Sequence, residues 1–191
     1  MNKTKKAIIN GSIKIFSECG YNGASVDDIA STSGVAKGTL YYYFKSKQEI
    51  FNFIMDEGLS VLASEIKKVE ELNLDSLSKL KEICRVQLTI LYENTEFFKV
   101  LISQLWGQDG RQVELRSKLE KYLKVIEVYI KKAMDDGTII HGNPAFMAHI
   151  FFGTLISAAI YEVSNIQKID LQSTINNLIQ ASFYGLEVKN N

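Results

Sequence analysis

The chain has 191 residues, 46% of them hydrophobic, enough to bury one large core or two modest ones. Its 22 basic and 22 acidic side chains cancel, a balance that taken alone argues against nucleic acid as a partner. The N-terminus lacks the apolar run of a signal peptide and no apolar stretch approaches about 18 residues, so neither secretion nor membrane spanning is expected.

The charge is unevenly placed, however. Residues 1–50 carry seven lysines (3, 5, 6, 14, 37, 45 and 47) against four acids (18, 27, 28 and 49), a net of +3 that the remainder offsets. A basic head on an acidic body is the asymmetry of a DNA reader with a separate regulatory part. The head begins with Lys3, Lys5 and Lys6 ahead of an amphipathic helix whose inner side holds Ala7, Ile8, Ile15 and Phe16. Gly20 ends it. Ser25 can cap a second helix, with Asp28 three residues on completing a capping box. Ile29 and Ala30 form its small apolar face, and Ser33-Gly34 closes it because glycine takes a positive φ cheaply. Val35 plugs the corner before a third helix from Ala36 or Lys37.

On that third helix Leu40 and Phe44 stand at i and i+4 and pack inward together. Gly38, Thr39, Tyr41, Tyr42 and Tyr43 cannot then all be buried, because three successive tyrosines cover too wide an arc for one core face. Gly38 near the start of a helix costs about 1 kcal/mol relative to alanine, and close approach of a nucleic-acid backbone is a reason to keep it. The hydroxyls of Thr39 and the tyrosines suit phosphate oxygens, and Lys37 places a cation at the groove edge. Two short helices around a glycine turn make a helix-turn-helix, whose second helix enters the major groove. Ser46 and Glu49 form a second capping box at the start of a long helix from Lys47 to about Val69, carrying Phe51, Ile54, Leu62 and Ile66. The N–H groups at that start favour an anion, and Lys47 adds a full charge beside them.

These first fifty residues closely resemble the DNA-binding domain of the tetracycline-repressor (TetR) family of bacterial transcription regulators. The matching pieces are Phe16 with Gly20-Tyr21, the run Ser25 to Ala30, the run Gly34 to Phe44, and Lys45-Ser46-Lys47. Three positions depart from the commonest form: Gly11 where alanine is usual, Ala36 where serine is usual, and Tyr43 where histidine is frequent. The first loosens helix one and the second removes a cap or phosphate hydroxyl. By the resemblance, Ser25, Lys37, Thr39, Tyr41, Tyr42, Tyr43 and Lys47 contact operator DNA, while Lys37 and Gly38 approach base edges.

Beyond Phe44 the periodicity stays helical, without strand alternation, so the fold is expected to be all-α with about nine helices. The expected division is a DNA-binding domain over 1–50 and a helical effector-binding and dimerisation domain over 51–191. Asp75 caps a helix carrying Leu77, Leu80, Cys84, Leu88 and Leu91. Asn94 or Thr95 starts one with Phe97, Phe98, Leu101, Ile102 and Leu105, broken at Gly107 to Gly110. The next holds Leu115, Leu119, Tyr122, Ile126, Tyr129 and Ala133 and ends at Gly137. Asn143-Pro144 opens the penultimate helix, about 144–164, and the last covers about 170–187. These two are unusually apolar, with small residues at Gly153, Ser157, Ala158 and Ala159. In the family such a pair forms a four-helix bundle with its copy, so the resemblance implies a homodimer with two recognition helices about 34–36 Å apart on a palindromic operator.

Ligand pockets are mostly apolar with a few placed polar groups. Phe98, Leu101, Leu105, Trp106, Tyr122, Tyr129 and Phe152 are candidates to line an effector pocket, although an aromatic stripe at helical spacing is more often core. Gln104, His149 and the tyrosine hydroxyls are the polar handles. Cys19 and Cys84 match no metal or redox spacing and read as buried thiols in a reducing cytoplasm. The two histidines, remote cysteines and lack of a Gly-rich phosphate loop leave no convergent catalytic set, so no enzyme activity, cofactor or metal is expected. The resemblance implies a ligand-controlled regulator, a repressor that a small apolar or amphipathic effector releases from its operator. An activator of the same family, or a helical protein-interaction module without operator binding, stands as the alternative.

Overall fold

The computed structural model describes residues 1–164 and 170–184, and among them it is helical with no strand. In chain order the helices are α1 (Lys3–Gly23), α2 (Val26–Thr32), α3 (Lys37–Tyr43), α4 (Lys47–Glu70), α5 (Ser76–Glu93), α6 (Thr95–Ser103), α7 (Gly110–Asp135), α8 (Pro144–Ser164) and α9 (Leu171–Tyr184). The expected last three residues of the final helix, 185–187, lie outside the described residues. The all-α fold read from the periodicity is the fold observed.

Local chemistry sets the helix ends. Asn2 caps α1, its side chain accepting from Lys5 N–H at 2.9 Å. Gly20 sits at φ 69° within α1 and interrupts it where the sequence places the stop. Asp75 accepts from Ser78 N–H at 2.9 Å and Ser78 hydroxyl at 2.8 Å, which holds its carboxyl below the usual carboxylate range. Asn143 accepts from Phe146 N–H at 3.1 Å, the cap expected ahead of Pro144.

The chain divides into two compact units: Met1–Ser60 with Asn94–Leu119, and Val61–Glu93 with the residues from Glu120 onward. Compactness and chain order thus divide the protein differently, because α6 packs on α1. Phe16, Leu40, Phe44, Ile50, Phe51 and Ile54 form the core of the first unit. Gly58 of α4 lets α6 come close: a Cβ there would lie 2.1 Å from Phe97 Cζ and 2.3 Å from its Cε2. Phe97 is itself buried, so its ring cannot swing into solvent without losing core area. Gly58→Ala is therefore expected to overpack this contact and lower unfolding stability by about 1–3 kcal/mol, read from the urea midpoint. An unchanged midpoint would contradict the close approach.

In the second unit, α5 packs on α8 and α9, and Leu80, Ile83, Cys84, Leu88, Leu123, Ile126 and Leu155 are buried. No helix among the described residues is long and apolar enough to cross a membrane.

Candidate nucleic-acid interface and effector core

The helix-turn-helix is built by two local devices. Ser25 Oγ accepts from Asp28 N–H at 3.1 Å while Asp28 Oδ2 accepts from Ser25 N–H at 3.3 Å, the full capping box. At the other end of α2, Gly34 at φ 65° lets its N–H reach Ser31 O at 3.0 Å and Val35 N–H reach Ala30 O at 3.0 Å. That pair of bonds is a Schellman closure, and it turns the chain sharply into α3. Leu40 and Phe44 are buried as their spacing requires.

The outer face of α3 gathers Lys37, Gly38, Tyr41 and Tyr42, all exposed, with Tyr42 at 77%. Thr39 and Tyr43 are half-buried at its edges. Among the described residues, nothing beyond its chain neighbours and its own helix backbone lies within 4 Å of a Cβ built on Gly38. No packing among the described residues accounts for that glycine, and it sits in the middle of the tyrosine and lysine face. Lys37 Nζ pairs with Asp27 at 2.8 Å across the turn, which raises its pKa above the ordinary lysine value. Tyr43 hydroxyl accepts from Asn2 Nδ2 at 2.7 Å, and its ring meets Tyr42 edge-on at 5.1 Å.

The structure does not bring Lys47 to that face. Its Nζ donates to Tyr21 O at 2.7 Å and Ala24 O at 2.6 Å and lies 4.6 Å from the Tyr21 ring centroid. Burial there, with Arg111 nearby, holds its pKa below the ordinary lysine value. The ammonium fastens the end of α1 to the start of α4 instead of standing free. Ser46 caps α4 as expected, accepting from Glu49 N–H at 3.1 Å, while Glu49 reaches one residue further back to Lys45 N–H at 2.6 Å.

Sequence reasoning missed Arg111. It is buried, its guanidinium 3.8 Å from the Tyr21 ring centroid and 5.1 Å from that of Phe51, and it donates to Gln104 Oε1. No periodic signal marks it, because its partners come from α1, α4 and the end of α6. Gln104, expected as a handle for an effector, is thereby engaged.

The seven effector candidates fall into different places. Phe98 and Leu101 are core residues of the first unit, and Leu105 is half-buried there. Trp106 is 80% exposed and lies outside the core. Its backbone carbonyl accepts from Gln112, and the flanking carbonyls of Leu105 and Gly107 accept from Arg116, which pins the turn and leaves the indole outside. Tyr122, Tyr129 and Phe152 are buried in the second unit. Burial raises both tyrosine pKa values, that of Tyr129 to about 12.

The second unit also holds an apolar groove of about 680 Å³, lined by Leu80, Ile130, Ile139, Met147, Phe151 and Phe183 with Thr138 and Thr154 among the polar groups. None of the seven candidates lines it. His149 stands apart, with Nδ1 2.8 Å from Ala145 O and Nε2 3.1 Å from Glu120 Oε1. The Ala145 carbonyl and the Glu120 carboxylate raise its pKa. Its contribution to stability is therefore complete below the ordinary 6.5 and is lost as pH rises through the raised folded value. NMR titration should place His149 above 6.5, and Glu120→Gln should bring it down; a titration at or below 6.5 would refute the pairing.

Residues 8–54 match the family of bacterial regulatory proteins described as the tetR family. A solved Clostridium perfringens protein assigned to the regulation of fatty acid metabolism is 41% identical, with TM-score 0.91 over 96% of this chain and 100% of that one. The chain belongs to the tetR family. This tetR-family protein is a DNA-binding transcription regulator. It is also 25% identical over 187 residues to the fatty acid metabolism regulator of Bacillus subtilis, covering 95% of each. A Bacillus subtilis regulator solved with stearoyl-CoA shares the fold at TM-score 0.82 and 22% identity, over 95% and 99% of the two chains.

One of the departures from the common tetR-family pattern has a local explanation. A Cβ on Gly11 would lie 2.3 Å from Ser33 Oγ and 3.0 Å from Ser33 N. Ser33 Oγ donates to Ile29 O at 2.6 Å, so glycine at 11 makes room for the serine that ends α2. Ala36 leaves α3 without a side-chain cap, as its sequence implies.

Proposed function

We propose that the protein is a cytoplasmic, dimeric repressor of fatty acid metabolism genes, released from its operator by a long-chain acyl-CoA, and that it regulates without catalysing. The observation that carries the DNA side is Gly38, which has open space where its Cβ would stand and lies between Lys37 and Tyr42. Lys37, Thr39, Tyr41, Tyr42, Tyr43 and Ser25 hold the phosphate backbone, and Gly38 lets base edges approach. Lys47 acts at one remove, by holding the end of α1 against α4.

Dimerisation is supported by Phe146, Ile150, Ile160 and Tyr161, all of them exposed on α8. Apolar side chains of this size on one helix are suited to a second copy. The acyl-CoA reading draws on the relatives concerned with fatty acid metabolism and on the stearoyl-CoA complex of the structural neighbour. The apolar groove and core of the second unit offer surroundings of the right kind for such a chain.

Selection of bound duplexes from a random DNA pool tests the DNA side. The expected product is an inverted repeat whose half-sites lie about one turn, about 34–36 Å, apart or a multiple of it. Recovery of no common sequence would overturn the operator reading.

A further inference from the structure

The acyl-effector reading leaves open how the body holds a polar part of its ligand, and the inference here rests on that reading. Gln87 on α5 is 1% exposed, and its Nε2 donates to the hydroxyl of Tyr122 on α7. Among the described residues its buried Oε1 has no hydrogen-bond partner. Tyr122 in turn meets Phe152 of α8 edge-on, ring centroids 6.0 Å apart. Three helices thus bring one amide and one phenol into apolar surroundings. A buried acceptor without a donor costs stability that an apolar side chain of the same size would not. Turning the amide end for end gives no relief: Oε1 would then take the Tyr122 proton and Nε2 would be left unpaired.

The position of the pair adds a second observation. Leu80, Cys84 and Gln87 stand at i, i+4 and i+7 on α5, and Ile130, Ile126 and Tyr122 stand at i, i−4 and i−8 on α7. Leu80 and Ile130 line the apolar groove, and Cys84 and Ile126 are buried between. The groove and the polar pair are therefore two ends of one stripe, about 10 Å apart along α5.

We propose that Gln87 is the polar hold of the effector site. Its Oε1 accepts from an N–H or O–H donor that the effector carries beside its apolar chain, as the pantetheine amide N–H of an acyl-CoA does. Tyr122 fixes the other end of the amide, and the stripe toward Leu80 and Ile130 takes the chain.

The test uses the full chain with palmitoyl-CoA and with palmitate, which is ionised at neutral pH and brings no donor. Calorimetric affinities and melting temperatures are read for wild type, Gln87→Met and Tyr122→Phe. Gln87→Met should bind palmitoyl-CoA at least tenfold more weakly and bind operator DNA unchanged in its absence. Wild type should prefer palmitoyl-CoA over palmitate at least tenfold, and that preference should collapse in Gln87→Met. Tyr122→Phe, which strips the amide of its one partner, should melt lower and also bind palmitoyl-CoA more weakly. A Gln87→Met protein that binds palmitoyl-CoA as tightly as wild type overturns this inference alone. A wild-type protein that binds neither probe overturns the acyl-effector reading and this inference with it.

Discussion

Replacing Lys37 and Tyr42 together by alanine should lower operator affinity roughly a thousandfold while leaving the fold intact. Each lost phosphate contact is worth about 1 kcal/mol net, and a dimer loses four of them. Lys37 must also leave Asp27 to reach DNA, which keeps its share at the modest end. The Lys37–Asp27 pair is exposed, so its removal changes stability little. Removing one cation per protomer should also lower the slope of log affinity against log salt by about 2. Fluorescence anisotropy on an operator duplex across a salt series reads both quantities. Gly38→Ala supplies the complementary case. With open space around the new methyl it should raise stability by up to about 1 kcal/mol, yet weaken operator binding. A stabilised variant that binds DNA as well as wild type would show that the glycine is not kept for DNA.

The second large effect is expected at Arg111. Truncation to alanine removes the cation from the Tyr21 and Phe51 rings, leaves Gln104 Oε1 without its donor and opens a void in the first unit. The combined cost is about 3 kcal/mol, a large share of the stability of a domain of this size. Arg111→Met keeps most of the volume and should cost less. It also removes the like charge near Lys47, so the Lys47 pKa should move back toward the ordinary lysine value. Urea denaturation of both variants is the measurement. An alanine variant as stable as wild type would mean that the buried guanidinium contributes nothing to the head.

What the sequence made legible was local. The capping box of Ser25 and Asp28, the Gly34 turn and the Asn143-Pro144 start each depend on residues three to five apart, and each appears in the structure as its spacing dictates. The inward face of α3 was legible for the same reason, since Leu40 and Phe44 share it by geometry alone. Lys47 was not, because its carbonyl partners lie 23 and 26 residues away, and position on a helix start does not say which way a long side chain turns. Arg111 and the packing of α6 on α1 were hidden likewise, since they depend on segments brought together only by the fold. Among the effector candidates, apolar character could not separate the buried Tyr122 from the exposed Trp106. That difference depends on how Arg116 and Gln112 pin one turn. The polar member of the core, Gln87, stood unnoticed in an amphipathic helix because a single amide breaks no periodicity.

Release of DNA by the effector tests the whole reading most directly. Palmitoyl-CoA titrated into a preformed complex with the selected operator duplex should dissociate it, whereas coenzyme A alone should not. Linkage then requires palmitoyl-CoA to bind the DNA-bound protein more weakly than the free protein, by the same factor. A complex that persists, or tightens, while palmitoyl-CoA is bound would contradict repression by effector release.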